Sequence, residues 1–118
     1  MHELAIAEGI VRIAAEHAGE RRVTKVELKV GHLRQVVPAA LAFGFELVAH
    51  GTVVEGAELQ IDEVAARVRC ERCGSDGEVA GFPLCCAACG SLDVAVTEGE
   101  ELHVEALEVD SVLTTKEA

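Results

Sequence analysis

The amino-acid sequence predicts an α+β fold in which two helices lie on one face of a small three-stranded sheet and a four-cysteine module is inserted between strands. Two periodic patterns favour this fold class. Apolar residues recur at helical spacing over residues 3–18, and polar and apolar residues alternate over residues 25–30 and 101–109, as in half-buried strands. In addition, all five cysteines of the 118-residue chain fall within residues 70–90, where little periodicity is found.

Two helices are predicted before the cysteine-rich segment. The first occupies residues 3–18, because its apolar positions follow three- and four-residue steps while its charged residues lie four apart on the opposite face, at Glu8, Arg12, Glu16 and Glu20. Gly19 is expected to end this helix. The second helix is expected over residues 39–49, after Pro38, because a first helical turn tolerates proline. Its inward residues would be Leu41, Phe45 and Val48.

Three strands complete the predicted main sheet. The first covers residues 25–30 and turns one apolar face inward, formed by Val26, Leu28 and Val30. The second covers residues 58–68, but its alternation changes phase after Ile61, which indicates a bulge or an exit from the sheet. The third covers residues 101–109, and its inward residues would be Leu102, Val104 and Ala106.

This order of elements divides the chain into a main domain and an insertion. Residues 1–67 and 98–118 would form the α+β domain, and residues 68–97 would form a separate module between two of its strands. A segment of about 30 residues is too short to bury a hydrophobic core of its own. Another kind of interaction must therefore hold the module together.

Two copies of one cysteine motif provide that interaction. The motifs are Cys70-Glu-Arg-Cys73-Gly74 and Cys86-Ala-Ala-Cys89-Gly90. Two residues between thiolates let both sulfurs reach one ion, and the glycine after each pair permits a turn that points backbone N–H groups at sulfur. Together the motifs predict a tetrahedral zinc site in a zinc-ribbon or knuckle module. Four thiolates close the coordination shell, so the zinc would be structural rather than catalytic.

Two alternatives at this site stay open on the sequence alone. An iron centre of the rubredoxin type also accepts four tetrahedral sulfurs. Cys85 could compete with Cys86 as a ligand, but a Cys85–Cys89 pair would have three intervening residues and would lose the motif. A small apolar packing residue is the simpler interpretation of Cys85.

The first three residues form a second candidate metal site. The α-amino group of Met1, together with the amide nitrogen and imidazole of His2, can reach one ion through fused chelate rings. Such a nitrogen-rich, in-plane set suits Ni(II) or Cu(II). Glu3 could add an oxygen ligand or accept the imidazole proton. The alternative is an ordinary solvated helix start, where Glu3 interacts favourably with the helix dipole.

Composition excludes several classes of function. The chain has 10 Lys and Arg against 21 Asp and Glu, a net charge of −11, and such acidity disfavours binding to nucleic acid or to anionic membranes. No apolar run approaches transmembrane length and no secretory signal is recognised, so the cysteines are expected in a reducing cytoplasm. We find no nucleophile–base pair and no phosphate-binding glycine loop, and therefore predict that the protein is not an enzyme.

The motifs, taken in order, resemble those of the HypA/HybF family of hydrogenase nickel-incorporation proteins. Met1-His2-Glu3 opens the chain, and the two cysteine motifs follow the second predicted strand. Three further segments of the resemblance are Gly31-His32-Leu33, Glu55-Gly56-Ala57-Glu58-Leu59 and Gly99-Glu100-Glu101-Leu102. The resemblance covers about residues 1–110.

The resemblance implies a nickel metallochaperone. Such proteins deliver Ni(II) as cargo to the large subunit of [NiFe]-hydrogenase with a HypB-type GTPase, and in some organisms they also serve urease and its accessory proteins. Residue by residue, it implies nickel ligation by Met1, His2 and Glu3 in the main domain. It likewise implies that structural Zn(II) is held in the inserted domain by Cys70, Cys73, Cys86 and Cys89.

One departure from the family concerns a further carboxylate that some members place near the nickel, from the segment before the second helix. This chain has no Asp or Glu between Glu27 and Glu46, and His32 is a candidate substitute, although a solvated loop histidine is the simpler interpretation. Two rival functions are a zinc-built protein–protein adaptor without nickel cargo and a zinc-ribbon nucleic-acid module. The second would need a basic, aromatic-bearing surface, whereas Phe82 is the only aromatic residue of the insertion.

Overall fold

The structure, a computed structural model, describes the backbone of residues 2–113 and the side chains as far as residue 110. Within this range the helices are α1 (Glu3–Ala18) and α2 (Pro38–Ala49), and a short 3-10 helix spans His32–Arg34. The strands are β1 (Arg21–Gly31), β2 (Glu58–Val64), β3 (Ala66–Cys70), β4 (Asp76–Val79), β5 (Val94–Glu98) and β6 (Leu102–Leu113). They form two three-stranded sheets, ordered β2-β1-β6 and β4-β3-β5. The predicted α+β class with a four-cysteine module is confirmed.

The two helices occur where the periodicity predicts them. Helix α1 buries small and branched residues, namely Ala7, Ile10, Val11 and Ala14, and it ends at Gly19, whose φ of 65° and N–H bond to Ala15 O (3.0 Å) close the last turn. Helix α2 buries Leu41, Gly44, Phe45 and Ala49, whereas Val48, predicted inward, is only half-buried. Among the described residues, no helix is both long and apolar enough to cross a membrane.

The two long strands of the main sheet, β1 and β6, are longer than predicted. Strand β1 begins at Arg21 rather than Lys25, because Val23 is also buried and its N–H bonds to Val53 O at 2.9 Å. The start of β1 at Arg21 could not be predicted from the sequence, because strict alternation of polar and apolar residues begins only after Thr24. Strand β6 extends to Leu113, and Ala106 is exposed, so the prediction that it points inward is wrong.

The change of phase after Ile61 marks the passage from one sheet to the other. The predicted single strand is two strands, since β2 ends at Val64 and β3 begins at Ala66 in the second sheet. Strand β3 pairs antiparallel with β4 and with β5, and it buries Ala66, Val68 and Cys70. Strands β4 and β5 were not predicted.

By their contacts the described residues divide into two compact units. The helical unit contains residues 2–29, 36–62 and 103–113, and the cysteine unit contains residues 30–35 and 63–102. Residues 30–35 join the cysteine unit because the N–H of Leu33 bonds to Gly99 O at 2.9 Å and Nε of Arg34 bonds to Glu100 O at 2.8 Å. The assignment of nickel binding to one domain and zinc binding to the other stays a prediction.

Candidate metal centres

The structure gathers four of the five cysteines into one cluster in the cysteine unit. Their sulfur atoms all lie within 4.8 Å of one another, with Cys70 Sγ 3.6 Å from Cys89 Sγ and Cys73 Sγ 3.6 Å from Cys86 Sγ. All four are free thiols. A tetrahedral zinc site with Zn–S bonds of about 2.3 Å has sulfur–sulfur edges of about 3.8 Å, so the cluster has the dimensions of a metal site.

Two similar turns position the four sulfurs. In the first, Cys70 Sγ accepts the N–H groups of residues 72 and 73, each at 3.3 Å; in the second, Cys86 Sγ accepts those of residues 88 and 89, at 3.3 and 3.4 Å. Gly74 and Gly90 follow with φ of 78° and 77°, a left-handed conformation that disfavours residues with a side chain. The repeated glycine thus serves the turn that the sequence predicts for it.

Each turn is also closed by a hydrogen bond across its base. The N–H of Cys70 donates to Ser75 O at 2.8 Å, and the N–H of Cys86 donates to Ser91 O at 2.9 Å. Sequence reasoning missed these two partners, whereas the N–H groups directed at sulfur are as the sequence predicts. A signal for the two partners was present, because each motif continues identically as Cys-x-x-Cys-Gly-Ser.

These hydrogen bonds separate the acidities of the thiols. The N–H of Cys73, followed by that of Arg72, lowers the pKa of Cys70 to about 6, and the N–H of Cys89 lowers the pKa of Cys86. The N–H of Ser91 lowers the pKa of Cys89, but its hydrogen bond with the Cys70 thiol, desolvation and the Cys86 thiol outweigh this and raise it to about 11. The cluster therefore favours thiolate at Cys70 and Cys86, the form that binds a metal ion.

Cys85 lies outside the cluster of sulfurs. It is half-buried and lines a cavity of about 490 Å³ whose other walls include Val79, Phe82 and Pro83. Glu78 also lines this cavity, and the packing role that the sequence favours for Cys85 stays a prediction.

Of the three predicted nickel ligands, the structure describes two, His2 and Glu3. Met1 lies outside the described residues. His2 precedes α1, its carbonyl oxygen accepts the N–H of Ile6 at 3.2 Å, and its side chain is exposed. The Glu3 carboxylate accepts the N–H of Val37 at 2.9 Å, and this hydrogen bond lowers the pKa of Glu3. Within residues 2–113, only the four cysteines form a group of three or more side-chain donors close enough to share an ion. Nickel binding here stays a prediction.

His32, the candidate substitute for a missing carboxylate, lies in the cysteine unit. Its Nε2 is 3.5 Å from Oε1 of Glu63, and both side chains are about half exposed. This is an ordinary surface pair of little energetic weight. A role of His32 in nickel binding stays a prediction.

Comparison with protein families gives the cluster its context. Residues 1–109 match the family described as "Hydrogenase/urease nickel incorporation, metallochaperone, hypA". The chain belongs to this family. HypA proteins are metallochaperones and maturation factors, which confirms both the resemblance and the prediction that the protein is not an enzyme.

Individual relatives agree over nearly the whole chain. The chain is 44% identical over 110 residues to hydrogenase maturation factor HypA of Geobacter metallireducens, covering 93% of this chain and 100% of that protein. It is 42% identical over 113 residues to HypA 1 of Bradyrhizobium diazoefficiens, with the same coverage. The solution structure of the nickel metallochaperone HypA from Helicobacter pylori matches with a TM-score of 0.66 at 22% identity, covering 92% of this chain and 97% of that one. At this identity the last match supports the fold alone.

Proposed function

We propose that the protein is a nickel metallochaperone of the cytoplasm. It binds Ni(II) through the Met1 amine, His2 and Glu3, and delivers it to the large subunit of [NiFe]-hydrogenase in concert with a HypB-type GTPase. Urease accessory proteins are further partners where a urease is present. The observation that carries this proposal is the family match over residues 1–109, which includes the Met1-His2-Glu3 start. The exposure of His2 at the start of α1 supports it.

The four-cysteine cluster would hold structural zinc. Its donor set fits this metal, since four sulfurs at mutual distances near those of a tetrahedron are already oriented by N–H groups. A zinc ion bound there would cross-link the two turns. Cys70 and Cys86 each hold two N–H donors against sulfur, which disperses the negative charge of the thiolates. With all four positions filled by protein, this centre has no open site for cargo.

The two sites would divide the work of a metallochaperone. Cargo must be held selectively and yet be released, and a terminal chelate of exposed, protonatable groups exchanges its metal more readily than a closed thiolate cage. The carboxylate of Glu3 is already oriented by Val37, so the residue next to His2 has a fixed position at the start of α1. We infer that nickel enters and leaves at this end of α1 while zinc stays.

Nickel titration of the zinc-loaded protein with a native N-terminus tests this proposal. Calorimetry should detect one nickel-binding event that is lost in a His2→Ala variant and in a protein with extra residues before Met1. A His17→Ala variant is the matched control, because His17 is also an exposed histidine but lies near the other end of α1. Binding that survives His2→Ala would locate nickel elsewhere. No binding in any protein would leave the zinc-built adaptor.

The same chelate predicts a dependence on pH. The amine and the imidazole must both be unprotonated to coordinate a metal ion, so nickel affinity should fall steadily as the pH is lowered from about 8 to about 5. Calorimetric titrations at several pH values, with protein already zinc-loaded, measure this directly. An affinity that is unchanged over this range would contradict coordination by these two nitrogens.

The zinc assignment has its own test. Metal analysis should give one zinc per chain, and cobalt substitution should give the absorption spectrum of a tetrahedral thiolate site. Cys86→Ser should abolish both signals, whereas the adjacent Cys85→Ser should leave them intact. Iron at the site after growth with both metals would instead establish the rubredoxin-type alternative.

A further inference from the structure

The outer surface of the two helices carries a group of large apolar side chains that are more than half exposed. Phe43 and Leu47 of α2 are 64% and 57% exposed, Leu4 of α1 is 52% exposed, and Val37, just before α2, is 54% exposed. We call these four residues the helical patch. Single exposed apolar residues are normal on a protein surface, but adjoining ones mark sites of interaction.

The residues of the helical patch lie on the two helices that pack against each other. Phe43 and Leu47 are one turn apart on α2 and therefore neighbours on its surface. Gly44 has no side chain, and a Cβ there would lie 3.5 Å from both Cα and Cδ1 of Leu4, so α1 crosses α2 next to Phe43. Val37 is tied to the same end of α1, because its N–H donates to Glu3. Leu4 thus lies where α1 packs on α2 at Gly44, the residue next in the chain to Phe43, and Val37 lies by the start of α1.

The charged residues of these helices are mostly acidic. Helix α2 has one charged side chain, Glu46, which is exposed and directly precedes Leu47 in the chain. On α1, Glu8 is one turn beyond Leu4, and Arg12 is the only arginine or lysine of the two helices. An apolar surface beside carboxylates is complementary to an apolar ridge that is flanked by lysine or arginine.

This charge distribution also argues against other occupants. In a symmetric dimer the same patch would face itself, so that one acidic surface would meet another. Anionic lipid would be repelled for the same reason. An amphipathic helix that lays its apolar face on an exposed apolar surface is instead a recurrent form of peptide recognition.

We propose that Leu4, Val37, Phe43 and Leu47 form the docking surface for a basic amphipathic helix of a partner protein. The surface starts two residues after His2, so the partner would sit beside the chain's N-terminal end. Docking is independent of nickel ligation, because none of the four side chains has a metal-binding atom. The docking proposal can therefore be tested independently of the nickel chelate.

Two synthetic peptides of about 18 residues test the proposal. The first has leucines at helical positions i, i+3, i+4 and i+7 with lysines beside them; its twin has glutamates in place of the lysines. Calorimetry should detect binding of the lysine peptide and at least about tenfold weaker binding of the glutamate peptide. Amide chemical shifts of the ¹⁵N-labelled protein should change around Leu4 and along α2. A scrambled lysine peptide, which has no apolar face, should bind weakly.

Variants of the protein identify the surface. Phe43→Ser and Leu47→Ser should each weaken binding of the lysine peptide at least about tenfold. Phe82→Ser is the matched control, because Phe82 is 65% exposed but belongs to the cysteine unit. Its affinity should equal that of the unaltered protein, and circular dichroism should report a folded protein in all three variants.

Three outcomes would overturn the proposal. They are equal affinity for both charged peptides, unchanged binding by Phe43→Ser, and dimerisation of the protein that Phe43→Ser abolishes, which would make a second copy the occupant. Nickel titration of Phe43→Ser should match the unaltered protein. Failure of docking and failure of the nickel chelate are therefore distinguishable.

Discussion

The carboxylate of Glu3 links the start of α1 to the residue before α2. Because the N–H of Val37 donates to it, the pKa of Glu3 lies below its ordinary value of 4.5. A lowered pKa in the folded state means that this contact stabilises the fold above pH 4.5 and is lost as the pH falls through the lowered pKa. The NMR chemical shift of the Val37 amide proton should therefore change as Glu3 is protonated, with a midpoint below pH 4.5.

A Glu3→Gln variant controls for this assignment. Its side chain keeps the shape and an acceptor oxygen but has no acid dissociation in this range, so the titration step of the Val37 amide should vanish while the remaining spectrum is preserved. A midpoint at or above 4.5, or a step that persists in the variant, would exclude the hydrogen bond as the cause.

Some residues of the site could be predicted from the sequence, and others could not. The four cysteine ligands follow from local spacing, because two residues between thiols already determine that both can reach one ion. The Glu3–Val37 bond joins residues 34 positions apart and has no local signal. The glycine after each cysteine pair indicates that backbone N–H groups point at sulfur, but which N–H groups reach Cys70 and Cys86 depends on the turn geometry.

Substitution of a glycine by alanine shows whether the surrounding element has room for a side chain. In α1, a Cβ at Gly9 would meet only Nη2 of Arg12, at 3.9 Å. Glycine inside a helix is less favourable than alanine by about 0.5–1 kcal/mol. Gly9→Ala should therefore raise the free energy of unfolding by about this amount, as measured by urea denaturation of the metal-loaded protein followed through helical circular dichroism.

Gly99 is the contrasting position. Its φ is 115°, and a Cβ there would lie 2.7 Å from Cα of Ala66. Gly99→Ala should therefore lower the stability of the cysteine unit, through both backbone strain and overlap with another backbone. If both substitutions had effects of the same sign, local packing would not be the reason.

The elements differ in how far local sequence determines them. Helices α1 and α2 and the centre of β1 have long periodic patterns, and these gave the correct elements. Strand β4 has only four residues, including Gly77, and it exists because Val68 of β3 pairs opposite that glycine. A short strand with a glycine has almost no intrinsic preference, so tertiary pairing decides its formation.

The two compact units have cores of very different size. The helical unit buries most of the apolar core, including the large side chains of Leu28, Leu41 and Phe45. The buried apolar residues of the cysteine unit are few and small among those described: Val30, Ala66, Val68, Cys70 and Cys86. Two of these five are members of the thiol cluster, so the fold of this unit depends on what the thiols bind.

Removal of the metal should therefore unfold one unit and spare the other. Structural zinc contributes on the order of 10 kcal/mol to the folding of zinc-finger peptides, whereas the cysteine unit, among its described residues, buries only two valines and an alanine besides the thiols. After treatment with a chelator and a reductant, hydrogen–deuterium exchange should accelerate in β3, β4 and β5 while α1 and α2 keep their protection. Cys85→Ser should respond as the unaltered protein does, because Cys85 is outside the cluster. Protection that persists in β3 without metal would mean that apolar packing alone holds the cysteine unit, and acceleration throughout the chain would mean that the helical unit also depends on the metal.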